Sequence, residues 1–93
     1  MRIDGQKARE LVISGAQLLD VRSPFEVAEQ SLPGAKNIPL NLLPKYHPLL
    51  DKGRPVIIYC RSGNRSASAA ELLKSNGFNT VFDLGSMLNY FHC

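Results

Sequence analysis

Pro55-Val56-Ile57-Ile58-Tyr59, followed at once by Cys60-Arg61-Ser62-Gly63-Asn64-Arg65, is the stretch that decides the fold. Its first half is β-branched and aromatic with no polar alternation. That is the pattern of a strand buried on both faces, and such strands belong to parallel sheets covered by helices. Its second half is polar and carries a glycine, and no core accommodates Arg, Ser, Gly, Asn and Arg in succession. A buried strand that runs through a polar loop into a helix is the repeating unit of an open α/β domain.

The chain on either side repeats the alternation. Downstream, residues 65–76 read as a helix, with Ala69, Ala70, Leu72 and Leu73 on one side and Glu71, Lys74 and Ser75 on the other. Asn76-Gly77-Phe78 should stop it, the glycine taking the left-handed turn and Phe78 packing back on the last turn. Thr80-Val81-Phe82 reads as a strand and Ser86 to Tyr90 as a last helical turn. Upstream, Gly5 to Ser14 is helical in pattern and Leu18-Leu19-Asp20-Val21 is a short buried strand. Ser23-Pro24-Phe25-Glu26 opens another helix: Ser23 caps, Pro24 occupies a position whose N–H is not needed, and Glu26 closes a capping box. Ser31 to Gly34 and Lys52 to Arg54 are turns, Ala35 to Ile38 a short strand, and Asn41 to Tyr46 a short helix broken by prolines. Core candidates are Leu11, Val12, Leu18, Leu19, Ile57, Ile58, Leu72, Leu73, Val81 and Phe82.

Bulk composition is consistent with this reading. The 93 residues suit one domain over the whole chain, and 44% hydrophobic with 20% charged is ordinary globular composition. No apolar run approaches the roughly 20 residues that span a bilayer, and the N-terminus lacks the apolar centre of a signal peptide, so a cytoplasmic protein is expected. The net charge of +3 comes from scattered rather than clustered Lys and Arg, which argues against nucleic acid and for a small anionic substrate. Two cysteines, Cys60 and Cys93, with no C-x-x-C and no His pair, suggest neither a disulfide framework nor a metal site. His47 and His92 are expected at the surface.

In such sheets ligands bind beyond the carboxyl ends of the strands, where Cys60 ends the most buried one. Successive N–H groups of the loop can converge into an anion-binding nest, and the following helix adds its positive end. A cysteine there, flanked by Arg61 and Arg65, should ionise below the free-thiol value of about 8.5 and act as a thiolate nucleophile. Arg61, and Arg65 with less preference, are candidates to hold an anionic substrate; Ser62, Gly63, Asn64 and Ser66 would act through backbone groups or capping, Ser66 also by bonding the sulfur. Asp20 and Arg22 either line the rim of the same pocket or form a structural ion pair. Cys93 is a candidate resolving thiol for an oxidised Cys60.

The segment Cys60-Arg61-Ser62-Gly63-Asn64-Arg65-Ser66 resembles the active-site loop of rhodanese sulfurtransferases. Residues 19–26 and 32–39 resemble that family's two N-terminal signatures, and Gly85-Ser86-Met87-Leu88 the start of its C-terminal one. The resemblance covers nearly the whole chain in order and spacing. It implies a five-stranded, largely parallel sheet with helices on both faces, no cofactor, and a two-step transfer through a persulfide on Cys60. The donor would be thiosulfate or another small anionic sulfur compound, and the acceptor a small thiol or a thioredoxin-like protein; a monomer would suffice. The chain departs from the family at Gln30-Ser31, where a Gly-His pair is common, and at Ser86, where a second glycine is usual.

Two other readings stay open on sequence alone. One is a cysteine-based phosphatase or arsenate reductase, although tyrosine phosphatases place five residues between Cys and Arg and here there are four. The other is a non-catalytic module that senses sulfur or oxidant through Cys60.

Overall fold

The computed structural model describes residues 2–91. A four-stranded sheet of order β2-β1-β3-β4 forms the centre, every pair parallel. Its strands are β1 (Gln17–Asp20), β2 (Lys36–Asn37), β3 (Val56–Cys60) and β4 (Val81–Ser86). The helices are α1 (Gly5–Ile13), α2 (Pro24–Glu29), α3 (Leu43–Tyr46) and α4 (Asn64–Ser75), with short 3-10 turns at Leu40–Leu42, His47–Leu49 and Met87–Phe91.

All five residues of β3 are buried, as its unalternated composition requires. Its side chains divide between two cores: Val56, Ile58 and Cys60 meet Ala69, Ala70 and Leu73 of α4 and Leu43 of α3, whereas Ile57 and Tyr59 meet Ala8 of α1 and Met87. Period-two alternation in the strands therefore feeds two apolar layers, which is why polar positions are absent from β3. Leu11, Val12, Leu72 and Phe82 of the expected core are only half-buried, packed at its edges.

The expected fifth strand is reduced to one bridge. Arg2 pairs in parallel with Asp83 on the outer edge of β4, and the Ile3 N–H donates to the Asp83 carbonyl at 3.1 Å. Pairing ends there because Asp4 accepts from the Lys7 N–H at 2.8 Å and caps α1, so the chain turns into a helix at once. Smaller differences follow from similar local causes. The strand expected at residues 80–82 runs on to Ser86, with a register shift opposite Ile58 and Tyr59. The short strand at 35–38 is confined to Lys36–Asn37, and His47, rather than standing at the surface, packs edge-on against Phe78 with ring centroids 6.2 Å apart. Cys93 and His92 lie outside the described residues.

The end of α4 follows the expected pattern. Phe78 N–H donates to the Leu73 carbonyl and Gly77 N–H to that of Lys74, the two bonds of a Schellman stop, with Gly77 at φ +90. The capping box of α2 is also present, Ser23 and Glu26 each bonding the other's backbone N–H.

Candidate active site

The carboxyl ends of β1, β3 and β4 point to one side, and there a cleft of about 350 Å³ opens, lined by Arg22, Glu26, Glu29, Gln30, Arg61, Ser86, Met87 and Leu88. Cys60 lies directly before Arg61 and is fully buried, so its sulfur is enclosed by its own loop rather than exposed on the cleft wall.

That loop is a cradle for sulfur. The Gly63 N–H donates to Cys60 Sγ at 2.9 Å and the Ser66 N–H at 3.3 Å. Gly63 makes this geometry possible: as the residue before α4 it sits at φ +103, in the left-handed region that side chains rarely adopt. Burial pushes the Cys60 thiol up, but the nearby Ser66 side chain and the N–H groups of Ser66, Gly63 and Ser62 outweigh it, and the net direction is down. Donors aimed at one atom stabilise its anion, so the cradle favours thiolate.

The two loop arginines have different surroundings. Arg65 makes a bidentate pair with Glu26, at 2.7 and 2.9 Å. Its guanidinium is committed to α2, though near enough to Cys60 and Asp20 to feel both charges. Arg61 is exposed, lines the cleft and has no ion-pair or hydrogen-bond partner among the described residues. Asp20 and Arg22 form the ion pair weighed from sequence, with Arg22 Nη2 at 2.7 Å from Asp20 Oδ2 and both side chains buried. Arg22 also donates to the Gln30 carbonyl and lies 5.6 Å from the centre of the Tyr59 ring. Tyr59 in turn accepts from the Leu32 N–H at 3.1 Å, and burial pushes its hydroxyl up to about 12. This buried network ties the end of β1 to the segment after α2, and Arg22 reaches the cleft wall from within it.

Glu26 has a second role that the sequence did not disclose. Beyond capping α2 it grips Arg65, 39 residues away in sequence, and no local pattern signals so distant a pair. The Arg65 hydrogen bonds hold the Glu26 carboxyl down at about 2. A carboxylate more acidic in the folded than the unfolded chain stabilises the fold above its unfolded pKa and loses that contribution as pH falls towards the folded value. Glu26→Gln should therefore unfold more readily than the wild type at neutral pH, and the difference should fade between about 4.5 and about 2. Urea midpoints measured across that range check this; a gap independent of pH would assign the effect to shape rather than charge.

The Rhodanese-like domain family pattern matches residues 4–91, almost the full length. The chain belongs to the rhodanese-like family. This rhodanese domain is 40% identical over 67 residues to a sulfurtransferase of Allochromatium vinosum, an overlap covering 72% of this chain and 63% of that protein. It is 35% identical over 83 residues to the thiosulfate sulfurtransferase GlpE of Ectopseudomonas mendocina, covering 89% of this chain and 76% of that one. A rhodanese-like domain protein from Staphylococcus aureus superposes with a TM-score of 0.84 at 30% identity, covering 96% of this chain and 89% of the other. The chain thus spans less than two thirds of the A. vinosum protein. The rhodanese fold expected from the sequence is the fold observed, with four strands in place of five.

Proposed function

We propose that this rhodanese domain transfers a sulfane sulfur, from thiosulfate or a related donor to a thiophilic acceptor, through a persulfide on Cys60. The observation that carries the proposal is the convergence of backbone N–H groups on Cys60 Sγ. In the first step the thiolate attacks the outer sulfur of thiosulfate. A new S–S bond forms, the bond to the sulfonate sulfur breaks, and sulfite leaves with its electron pair. In the second step cyanide, a small thiolate or the thiolate of a protein attacks the outer sulfur of the persulfide, and the pair of the broken S–S bond returns to Cys60. Neither step needs a general acid, because both leaving groups are stable anions, and the same N–H donors serve the sulfur anion in each resting state.

A phosphate-loop reading is disfavoured by Arg65. The guanidinium that would clasp a phosphoryl group is held bidentate by Glu26, and the loop between Cys60 and Arg65 is four residues long. Arg61 is left as the cation available to an anionic donor.

The deciding experiment is intact mass after incubation with thiosulfate, followed by peptide mapping. A gain of one sulfur, about 32 Da, on the Cys60 peptide and its loss on adding cyanide are expected. No gain with thiosulfate or with a persulfide donor would overturn the proposal.

The acidity of Cys60 has its own signature. With its thiol lowered by the cradle, the rate of persulfide formation should reach its plateau at a lower pH than that of a free cysteine thiol with the same donor. A plateau reached at the same pH as the free thiol, or at a higher one, would mean that the cradle does not hold the anion.

A further inference from the structure

The cleft is lined by four charged side chains, Arg22, Glu26, Glu29 and Arg61. Two of them are already neutralised: Arg22 by Asp20 at 2.7 Å, and Glu26 by Arg65 at 2.7 Å. The remaining pair, Arg61 and Glu29, are exposed and have no ion-pair or hydrogen-bond partner among the described residues. The cleft beside Cys60 therefore presents one free positive and one free negative charge, without the positive excess that would best receive a dianion. Met87 and Leu88 add apolar surface on the wall formed after β4, and Leu88 is 61% exposed.

We infer that this cleft selects a sulfur donor that is itself a zwitterion, the persulfide of a small amino-acid thiol, with Arg61 receiving its carboxylate and Glu29 its ammonium group. The inference rests on the sulfur-transfer reading above and names the donor class for that same site. Glu29 is then a specificity-determining residue. Its carboxylate attracts an ammonium-bearing donor and repels one that carries only negative charge, while the apolar wall accommodates the short carbon chain. The chemistry balances as before: the Cys60 thiolate attacks the outer sulfur of the persulfide, a new S–S bond forms, the donor's S–S bond breaks, and the donor leaves as its thiolate.

Two donors that differ only in the ammonium group give a direct test: cysteine persulfide and the persulfide of 3-mercaptopropionate. Rates of persulfide formation on Cys60 are measured for both at low ionic strength, where an exposed charge is least screened. The wild type should favour cysteine persulfide in kcat/KM by about five- to tenfold beyond what its more acidic leaving thiol gives, the size expected of one charge pair at contact in a wet cleft. Glu29→Gln should lower the ratio by that factor, Glu29→Asp should restore part of it, and added salt should erode it in the wild type. A ratio near one in the wild type, or one that Glu29→Gln leaves unchanged, would overturn the inference while sulfur transfer itself stood. No persulfide from either donor would remove the function and the inference together. Equal thermal midpoints for the two Glu29 variants and the wild type confirm that the comparison reports recognition and not folding.

Discussion

Cys60→Ser is expected to lose sulfur transfer, by a factor on the order of 10⁴ or more, while keeping the fold. The two halves of that expectation have separate causes. Serine is close to cysteine in shape, and its hydroxyl can accept from the same Gly63 and Ser66 N–H groups that now meet Sγ. The site is fully buried, so the exchange costs the difference between two hydrogen-bonded polar atoms, about 1 kcal/mol, and not an orphaned donor. Chemistry is another matter. The cradle lowers the thiol and so favours its thiolate, but an alcohol starts far higher and lacks sulfur's ability to form and release an S–S bond. Thiocyanate production from thiosulfate and cyanide, read beside a urea melt of each protein, checks both halves. A serine variant that still turned over would move the sulfur carrier away from Cys60.

How much of this could be read beforehand depended on whether the determining interactions were local. β3 was legible because burial on both faces leaves a composition with no polar position, and Val56 to Tyr59 have none. The Ser23–Glu26 capping box and the Gly77 helix stop were legible because each is a pattern of neighbours within a few residues. The cradle around Cys60 was legible for the same reason: its donors all lie within the next six residues of the chain. Where the family resemblance implied a fifth strand, a local competitor had won. Arg2 begins a strand on the edge of β4, but Asp4 caps α1 two residues later and the pairing stops at one bridge. The division of labour between Arg61 and Arg65 was legible only in part. The sequence favoured Arg61 for the substrate and left Arg65, at the start of the helix, undecided; only the placement of Glu26, brought over by α2, commits Arg65 and leaves Arg61 free.

The buried pair beneath the cleft should be the most sensitive place in the molecule to a single substitution. Asp20 accepts from the Arg22 backbone N–H at 2.9 Å and from its guanidinium at 2.7 to 3.1 Å, and both side chains are almost wholly out of water. Removing one partner leaves an uncompensated charge in a place where water cannot solvate it, a loss of about 3–5 kcal/mol. That is a large part of the 5–15 kcal/mol by which a domain is ordinarily stable. Asp20→Ala should accordingly unfold at a much lower urea concentration. Arg22→Met should be affected less, because Asp20 keeps the Arg22 backbone N–H and the Tyr59 hydroxyl as donors. The double variant Asp20→Leu with Arg22→Met should recover much of the stability, since the desolvation cost of both charges goes with them. It should not recover the cleft: the Arg22 bond to the Gln30 carbonyl is lost, and with it the tie that holds the segment after α2 against β1. The double-mutant cycle separates these effects, with coupling expected between residues in direct contact. If Asp20→Ala proved within 1 kcal/mol of the wild type, the pair would be a dispensable ornament of the rim. If the double variant regained stability and kept full sulfur transfer, the pair would serve folding alone, and the cleft wall would owe its shape to α2 and the Glu26–Arg65 clasp.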